Sequence, residues 1–281
     1  MSDLPPIGLI AGGGLLPELT AKGIHASGRK VACVAFSGFH EPDLREHCDY
    51  FSTAGIVRLN TWVRRFRKWG VKEAIMLGRV EKNIQYDPLR LFRYMPDTFF
   101  CRKWLTVFRY DSRPATMLRA VADELSLRGI ELVDSTKYIP ELRAEEGVMT
   151  KRQPTQEQRK EIDLGLPIVR KLNDLDVGQA IAVREGDVVA VEAIEGTDRM
   201  IARAGELCKG GGWTLIKIPK RKHDMRLDVP TVGPDTIENL HAAGGGCLAV
   251  EVGRVILADK EKMLALADQY RIAVVGVPSQ M

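Results

Sequence analysis

Short unbroken apolar runs alternate with segments whose apolar residues recur at helical spacing, and this alternation continues along the whole chain. IGLIA from Ile7, VACVAF from Val31 and EAIMLG from Glu73 read as strands, because a run with no polar interruption suits a strand covered on both faces. Between them, Leu16, Leu19 and Ile24 space a helix that Gly28 ends. Residues 59–70, LNTWVRRFRKWG, give a second helix, and 114–129, PATMLRAVADELSLRG, a long amphipathic third one before the strand-like IELVD. Strands and helices in this order predict a doubly wound, Rossmann-like α/β domain that takes its ligand at the carboxyl ends of the strands.

The polar stretch ELRAEEGVMTKRQPTQEQ, with Gly147 and Pro154, divides the chain into domains at 1–140 and 141–281. The second half is again α/β. EQRKEIDLGLPIVRKLNDLDVG predicts a helix interrupted near Gly165 to Pro167, and QAIAVREGDVVAVEAIEGTD predicts two strands joined at Glu185-Gly186-Asp187. A helix opening at Thr197 or Asp198, the strand WTLIKI, a helix with an Asp235–Glu238 capping box, and the segments CLAVEVGRVIL, KEKMLALADQY and IAVVGV complete the domain.

Composition narrows the function classes. A 281-residue chain that is 45% hydrophobic and 28% charged fills two ordinary cores. A net charge of +4 with a pI of 8.8 suits an anionic ligand or membrane face without requiring nucleic acid. Five cysteines, Cys33, Cys48, Cys101, Cys208 and Cys247, lie scattered without a CxxC pair, which predicts neither a disulfide framework nor a thiolate zinc site and fits a reducing cytoplasm. No run of about 18 apolar residues occurs, so membrane contact is expected to be peripheral.

Several polar constellations carry candidate chemistry. Gly12, Gly13 and Gly14 follow the first strand, where they serve either as a phosphate cradle or as a tight turn packed on the sheet. The cradle reading predicts that Gly13→Val raises KM or abolishes activity and leaves the fold intact. The spacing departs from GxGxxG and Ser37 stands where a ribose-binding acid would follow the second strand, so a nicotinamide cofactor is not expected. Arg79 and Lys82, after EAIMLG, form either a diphosphate-binding pair or an ordinary solvated loop.

Residues 86–113 hold eight of the eighteen aromatic residues and six Arg or Lys. That mixture suits an interfacial lipid surface, stacked single-stranded nucleic acid, or a buried subdomain or contact with a second copy of the chain. Phe99, Phe100, Trp104 and Leu105 are its candidate greasy residues, with Arg93, Arg102, Lys103 and Arg109 facing head groups. In the second half, Glu192, Glu195, Gly196 and Thr197 precede a helix, and Lys217 and Lys220 close the following strand. Carboxylates, lysines and a helix start together suit magnesium with phosphate, as hard oxygen ligands and phosphoryl donors. The DMRLD loop then sets Asp224 and Asp228 around Arg226.

GLIAGGGLLP, EGVMTKRQPTQEQRKEIDLG with Thr150, DVGQAIAVREGDVVAVEAIEGTD and KRKHDMRLDVPTVGPDTIE together resemble the LpxI-type UDP-2,3-diacylglucosamine pyrophosphatases of lipid A biosynthesis over essentially the full length. The resemblance implies hydrolysis to UMP and the diacylated glucosamine 1-phosphate called lipid X, assisted by Mg2+ or Mn2+, with water attacking the phosphorus on the sugar side. It implies two domains with the ligand between them, and an essential aspartate that falls by motif on Asp224, as metal ligand or base, with Arg226 and Asp228 beside it. A homodimer and attachment to the inner face of the inner membrane are further expectations. The rivals are a non-catalytic nucleotide-sugar or anionic-lipid binding module, which has no need of Asp224, and a single-stranded RNA binder, against which the two intact α/β halves speak.

Overall fold

The computed structural model describes residues 4–80, 95–111, 113–219, 224–226 and 229–279. Lys82, Arg93, Lys220 and Asp228 lie outside the described residues. The chain divides into two compact units, one made of residues 1–139 together with 224–228, the other of 140–223 and 229–281. Sequence reading assigned the Asp224 loop to the second domain, whereas it clusters with the first.

The first unit is built on a five-stranded parallel sheet in the order β3-β2-β1-β4-β5: β1 Ile7–Ala11, β2 Val31–Phe36, β3 Tyr50–Ala54, β4 Glu73–Leu77 and β5 Glu131–Leu132. All of β1 and β2 is buried, as the continuous runs predict. Side chains alternate between two cores. Ile7, Leu9 and Ala11 join Ile24 of α1 (Leu16–Ala26) on one face, while Ile10, Val34 and Phe36 meet Trp62 and Phe66 of α2 (Leu59–Lys68) on the other. Gly8 admits this packing, since a Cβ there would stand 2.8 Å from Val71 Cγ1 and 3.3 Å from the Phe66 ring.

α3 (Thr98–Lys103), capped by Asp97 through the Phe100 amide, runs into a π-turn at Trp104–Phe108, and α4 (Pro114–Leu127) leads to β5. The expected greasy surface divides here. Phe99 and Phe100 are buried in the core with Phe108, their rings packed edge to face, whereas Trp104 and Leu105 are 58% and 64% exposed. Trp104 and Leu105 stand in the π-turn that follows the α-helix, and Phe108 at its end is buried again.

The second unit holds a six-stranded mixed sheet in the order β6-β13-β11-β9-β7-β8. Its strands are β6 Gly147–Val148, β7 Ala180–Arg184, β8 Asp187–Val191, β9 Thr214–Lys217, β11 Cys247–Glu251 and β13 Ala273–Val277, with β9, β11 and β13 parallel. β10 (Thr231–Val232) and β12 (Ile256–Leu257) form a separate ribbon. α5 (Gln156–Asp174) covers one face with Ile162 and Val169. α6 (Thr197–Leu207), α7 (Pro234–Ala242) and α8 (Lys260–Gln269) cover the other with Met200, Ile201, Ile237, Leu240 and Met263.

Two local expectations are corrected. α5 runs unbroken through Gly165 and Pro167 after a Thr155–Gln158 capping box. Gly165 is there for close packing, since a Cβ would meet Ile216 Cδ1 at 2.3 Å. The cap of α7 lies two residues before the expected Asp235 of the Asp235–Glu238 box: Gly233 takes that place and donates its amide to Thr236 Oγ1 at 3.3 Å. Among the described residues no helix is long and apolar enough to cross a membrane, and Cys33, Cys48, Cys101, Cys208 and Cys247 are free thiols.

Candidate functional site

In the first sheet the order reverses between β1 and β4, and the crevice outside their carboxyl ends is where an open α/β sheet takes ligands. Gly12 to Gly14 leave β1 at this point and Gly78-Arg79 leave β4. The two exits pair with each other. Gly12 donates its amide to Leu77 O at 2.9 Å, Gly13 to Arg79 O at 2.8 Å, and Arg79 returns one to Gly13 O at 2.8 Å. Gly14, at φ +89°, donates to Glu41 Oε1 at 3.1 Å.

Glycine is required here because backbones meet: a Cβ on Gly12 would lie 2.6 Å from Arg79 O, and one on Gly13 2.5 Å from Phe39 O. The amides expected to cradle a phosphate are therefore engaged by protein acceptors, and the turn reading accounts for their geometry. Glu41, which sequence reading missed, brings a carboxylate to this mouth. Its only sequence signal is an acid five residues beyond β2.

The Asp224 segment is fastened to the same unit by the residues after β5. Ser135, fully buried, donates its amide to Met225 O at 3.1 Å. Its hydroxyl reaches Met76 O of β4 at 3.0 Å, with Arg226 O 3.4 Å away. Within the loop, Arg226 donates from Nε to Asp224 Oδ1 at 2.9 Å, from a terminal nitrogen to Oδ2 at 2.8 Å and from its backbone to Oδ1 at 3.1 Å. Arg226 also lies 3.6 Å from Glu131 Oε1. The Arg226 guanidinium holds the Asp224 carboxyl below the usual carboxylate range, against a smaller opposing effect of burial.

An Asp-x-Arg ring of the same form closes between Asp111 and Arg113. The ring is thus a local motif. The fastening of Asp224 to β4 and β5 is what places it beside the carboxyl edge of the first sheet.

In the second unit β8 runs in the same direction as β9, so Glu192, just past β8, and Lys217, at the end of β9, reach the same edge. Glu192 donates its amide to Ala180 O at 2.9 Å, and Lys217 is registered opposite Ala180 on the other side. Gly196, at φ +85°, turns the chain so that Thr197 opens α6 and donates its hydroxyl to Glu192 Oε1 at 3.0 Å. Lys217 Nζ donates to Thr231 O at 3.0 Å. Burial pushes the Glu192 carboxyl up, against the Lys217 ammonium that draws it down. Glu192 is 94% buried, a complement of its 6% exposure, and its second oxygen, Oε2, has no partner among the described residues.

Other expected contacts have structural partners. Thr150 accepts the Val274 amide at 3.0 Å and donates to Arg152 O at 3.1 Å, which ties the segment after β6 to β13. Glu195 accepts from Arg203 at 2.6 Å and from the Ala193 amide at 3.1 Å in the turn before α6. Lys82, Lys220 and Asp228 lie outside the described residues.

Among the described residues no group of three or more His, Cys, Asp or Glu is placed to hold a metal. Asp224, ionised and part-exposed, is nevertheless the hard oxygen donor that suits magnesium or manganese, a cation commonly held by one or two carboxylates and completed by substrate phosphate oxygens and water.

Comparison with known proteins agrees across both units. Residues 6–142 match the LpxI N-terminal domain and residues 145–275 the LpxI C-terminal domain. The chain is 30% identical over 284 residues to the UDP-2,3-diacylglucosamine pyrophosphatase LpxI of Caulobacter vibrioides, covering 98% of each sequence. At that identity the two are related sequences, not the same one.

Proposed function

The chain belongs to the LpxI family and is a UDP-2,3-diacylglucosamine pyrophosphatase of lipid A biosynthesis, and from that premise we propose how its own residues serve the reaction. Water forms a bond to the phosphorus on the sugar side, the bond from that phosphorus to the bridging oxygen breaks, and UMP leaves with that oxygen while lipid X keeps the new one. The diphosphate is anionic, so its approach and reaction require cationic groups. Arg226, with Arg79 at the exit of β4, supplies guanidinium donors for phosphoryl oxygens.

Asp224 acts as an anionic oxygen donor to a bound cation. The observation that supports this role over a proton acceptor is the Arg226 fork, because a carboxylate drawn below its ordinary range is a weaker base and stays ionised. A magnesium or manganese ion held there by Asp224 would lower the pKa of water and neutralise phosphoryl charge. Arg226 keeps Asp224 ionised and oriented before the substrate arrives.

Cation dependence tests this reading. Activity is expected to vanish in EDTA and return with magnesium, and Asp224→Glu is expected to need several-fold more magnesium for half-maximal rate. Full activity after exhaustive chelation would reject the cation, and an unchanged magnesium requirement in Asp224→Glu would reject Asp224 as its ligand.

The substrate carries two acyl chains, and we assign its approach to the inner face of the inner membrane, from the cytoplasm. Trp104, Leu105 and Tyr110, 58%, 64% and 74% exposed, stand among exposed Arg102 and Arg109, an apolar and cationic surface suited to anionic lipid. Trp104→Ser with Leu105→Ser is expected to weaken binding to anionic vesicles by about 10-fold or more at unchanged Tm, since each side chain carries ~1.5–3 kcal/mol of burial. Phe99→Ser is expected to lower Tm instead. Undiminished sedimentation of the double variant with vesicles would remove this surface from the membrane role.

A further inference from the structure

The first unit holds two thiols that the proposed chemistry does not use. Cys33 stands inside β2, fully buried, and is registered opposite Phe51 of β3. Cys48, partly buried, packs against the same core cluster, which also contains Leu44. The residue after it fixes its position. Asp49 accepts the Val31 amide at 2.8 Å and meets His25 Nε2 at 2.9 Å, so it is anchored to β2 two positions before Cys33. The Cys33 thiol is pushed well above the usual cysteine range, first by its hydrogen-bonding contact with the Cys48 thiol and then by burial.

A buried cysteine by itself packs as a small apolar residue. Two thiols in contact, one of them reaching the surface, have a further chemistry, because the outer sulfur can be oxidised and the inner one can resolve it. The outer thiol also ends a strap. The short 3₁₀ helix Pro42–His47 runs between β2 and β3 and buries Leu44. It closes on Cys48, whose amide donates to Arg45 O at 3.2 Å and whose Sγ donates to Leu44 O at 3.2 Å. At the other end of the strap, Glu41 takes the Gly14 amide at the mouth of the crevice.

From the packing of these two residues we infer that Cys33 and Cys48 form a peroxide-sensitive dithiol, a modification site whose closure to a disulfide displaces the strap that carries Glu41. Hydrogen peroxide oxidises the Cys48 thiol to a sulfenic acid, its O–O bond breaking and one water leaving. The Cys33 sulfur then bonds to the Cys48 sulfur, the Cys48 S–O bond breaks, and the departing hydroxide takes the Cys33 proton as a second water. The two thiols together lose two electrons to one peroxide. The disulfide cannot coexist with donation to Leu44 O, since the Cys48 sulfur then carries no hydrogen. The strap loses that tie while Cys48 is drawn toward β2, and the displacement passes along its six residues to Glu41 and Gly14. In a reducing compartment the bond is transient, which suits a sensor and not a structural disulfide.

The first test needs no turnover. The full chain is treated with excess hydrogen peroxide and digested without reductant, and mass spectrometry is expected to find the Cys33 and Cys48 peptides joined, then separated by dithiothreitol. Exposed Cys101 is the reference thiol, since its oxidation marks an effective treatment. Absence of the Cys33–Cys48 link when Cys101 is fully oxidised would overturn the dithiol. The second test reads the strap. Hydrolysis of UDP-2,3-diacylglucosamine is expected to slow several-fold on treatment, mainly through KM, and to recover with dithiothreitol. Cys48→Ser, whose hydroxyl still has a proton for Leu44 O, is expected to match the untreated wild type and to resist peroxide. A link that forms with unchanged kinetics, or an equal loss of activity in treated Cys48→Ser, would overturn the coupling to the crevice. Should that variant not fold, Cys48→Ala is read in the same way.

Discussion

Asp224→Ala is expected to abolish hydrolysis of UDP-2,3-diacylglucosamine, with kcat lower by about three orders of magnitude or more, the range lost when a group that stabilises transition-state charge is removed. Stability should barely move. The Asp224 side chain is 28% exposed and its partner Arg226 43% exposed, so their ion pair contributes no more than about 1 kcal/mol. The sign of its pH dependence follows from the lowered carboxyl: the contribution is fully present above the ordinary aspartate range and disappears as pH falls through the folded value. Near neutrality the variant should therefore melt at most slightly below the wild type, and the small difference should close as the pH falls. Substrate binding should survive, since the guanidinium groups of Arg79 and Arg226 are untouched. A variant that still turned over at the wild-type rate would remove Asp224 from the mechanism, and one that lost binding in parallel with rate would make it a substrate contact only.

The second large effect is expected at Gly13, and it falls on the fold. A methyl group there would sit 2.5 Å from Phe39 O, a backbone atom that cannot swing aside, while the Gly13 amide and carbonyl are both tied to Arg79. Gly13→Ala is expected to cost about 1–3 kcal/mol, the usual range for overpacking, and Gly13→Val more, read as a lower midpoint in urea with an unchanged slope. Activity should fall with the folded fraction. This reverses the expectation that Gly13→Val would raise KM or abolish activity without unfolding the protein, which treated the glycine as room for a phosphate. Full stability with a raised KM would restore the cradle.

That reversal shows where sequence was informative. The strands Val31–Phe36 and Cys247–Glu251 were legible because parallel strands covered on both faces leave continuous apolar runs. Tyr50–Ala54 was not, since this edge strand is largely part-exposed and carries Ser52 and Thr53. Gly165 and Pro167 suggested a broken helix, because a glycine selected for contact with Ile216 looks in sequence like one selected for a turn. Spacing could not sort the aromatic run, because Trp104 and Phe108 stand four residues apart, the spacing of one helical face, yet Phe108 is buried and Trp104 exposed.

At the site, the Asp224–Arg226 pair could be found because it is local, two residues apart. Ser135 could not, as its partner Met225 lies ninety residues further on, nor could Glu41, whose partner Gly14 precedes it by 27. Glu192 was visible as an acid after a strand, but its burial and its bond from Thr197 became apparent only in the fold.

The passage of residues 224–228 out of the second unit and into the first has a consequence for how such a protein can change over evolutionary time. The first unit ends in sequence at residue 139, yet it is completed by a loop encoded some 250 nucleotides later, so no single crossover separates two self-sufficient genes. A fission after residue 142 would yield one product without its aspartate and another carrying that aspartate with no Ser135 to seat it. Fission and the exchange of halves between distant relatives are therefore expected to be selected against within this lineage, and the two parts to be inherited together.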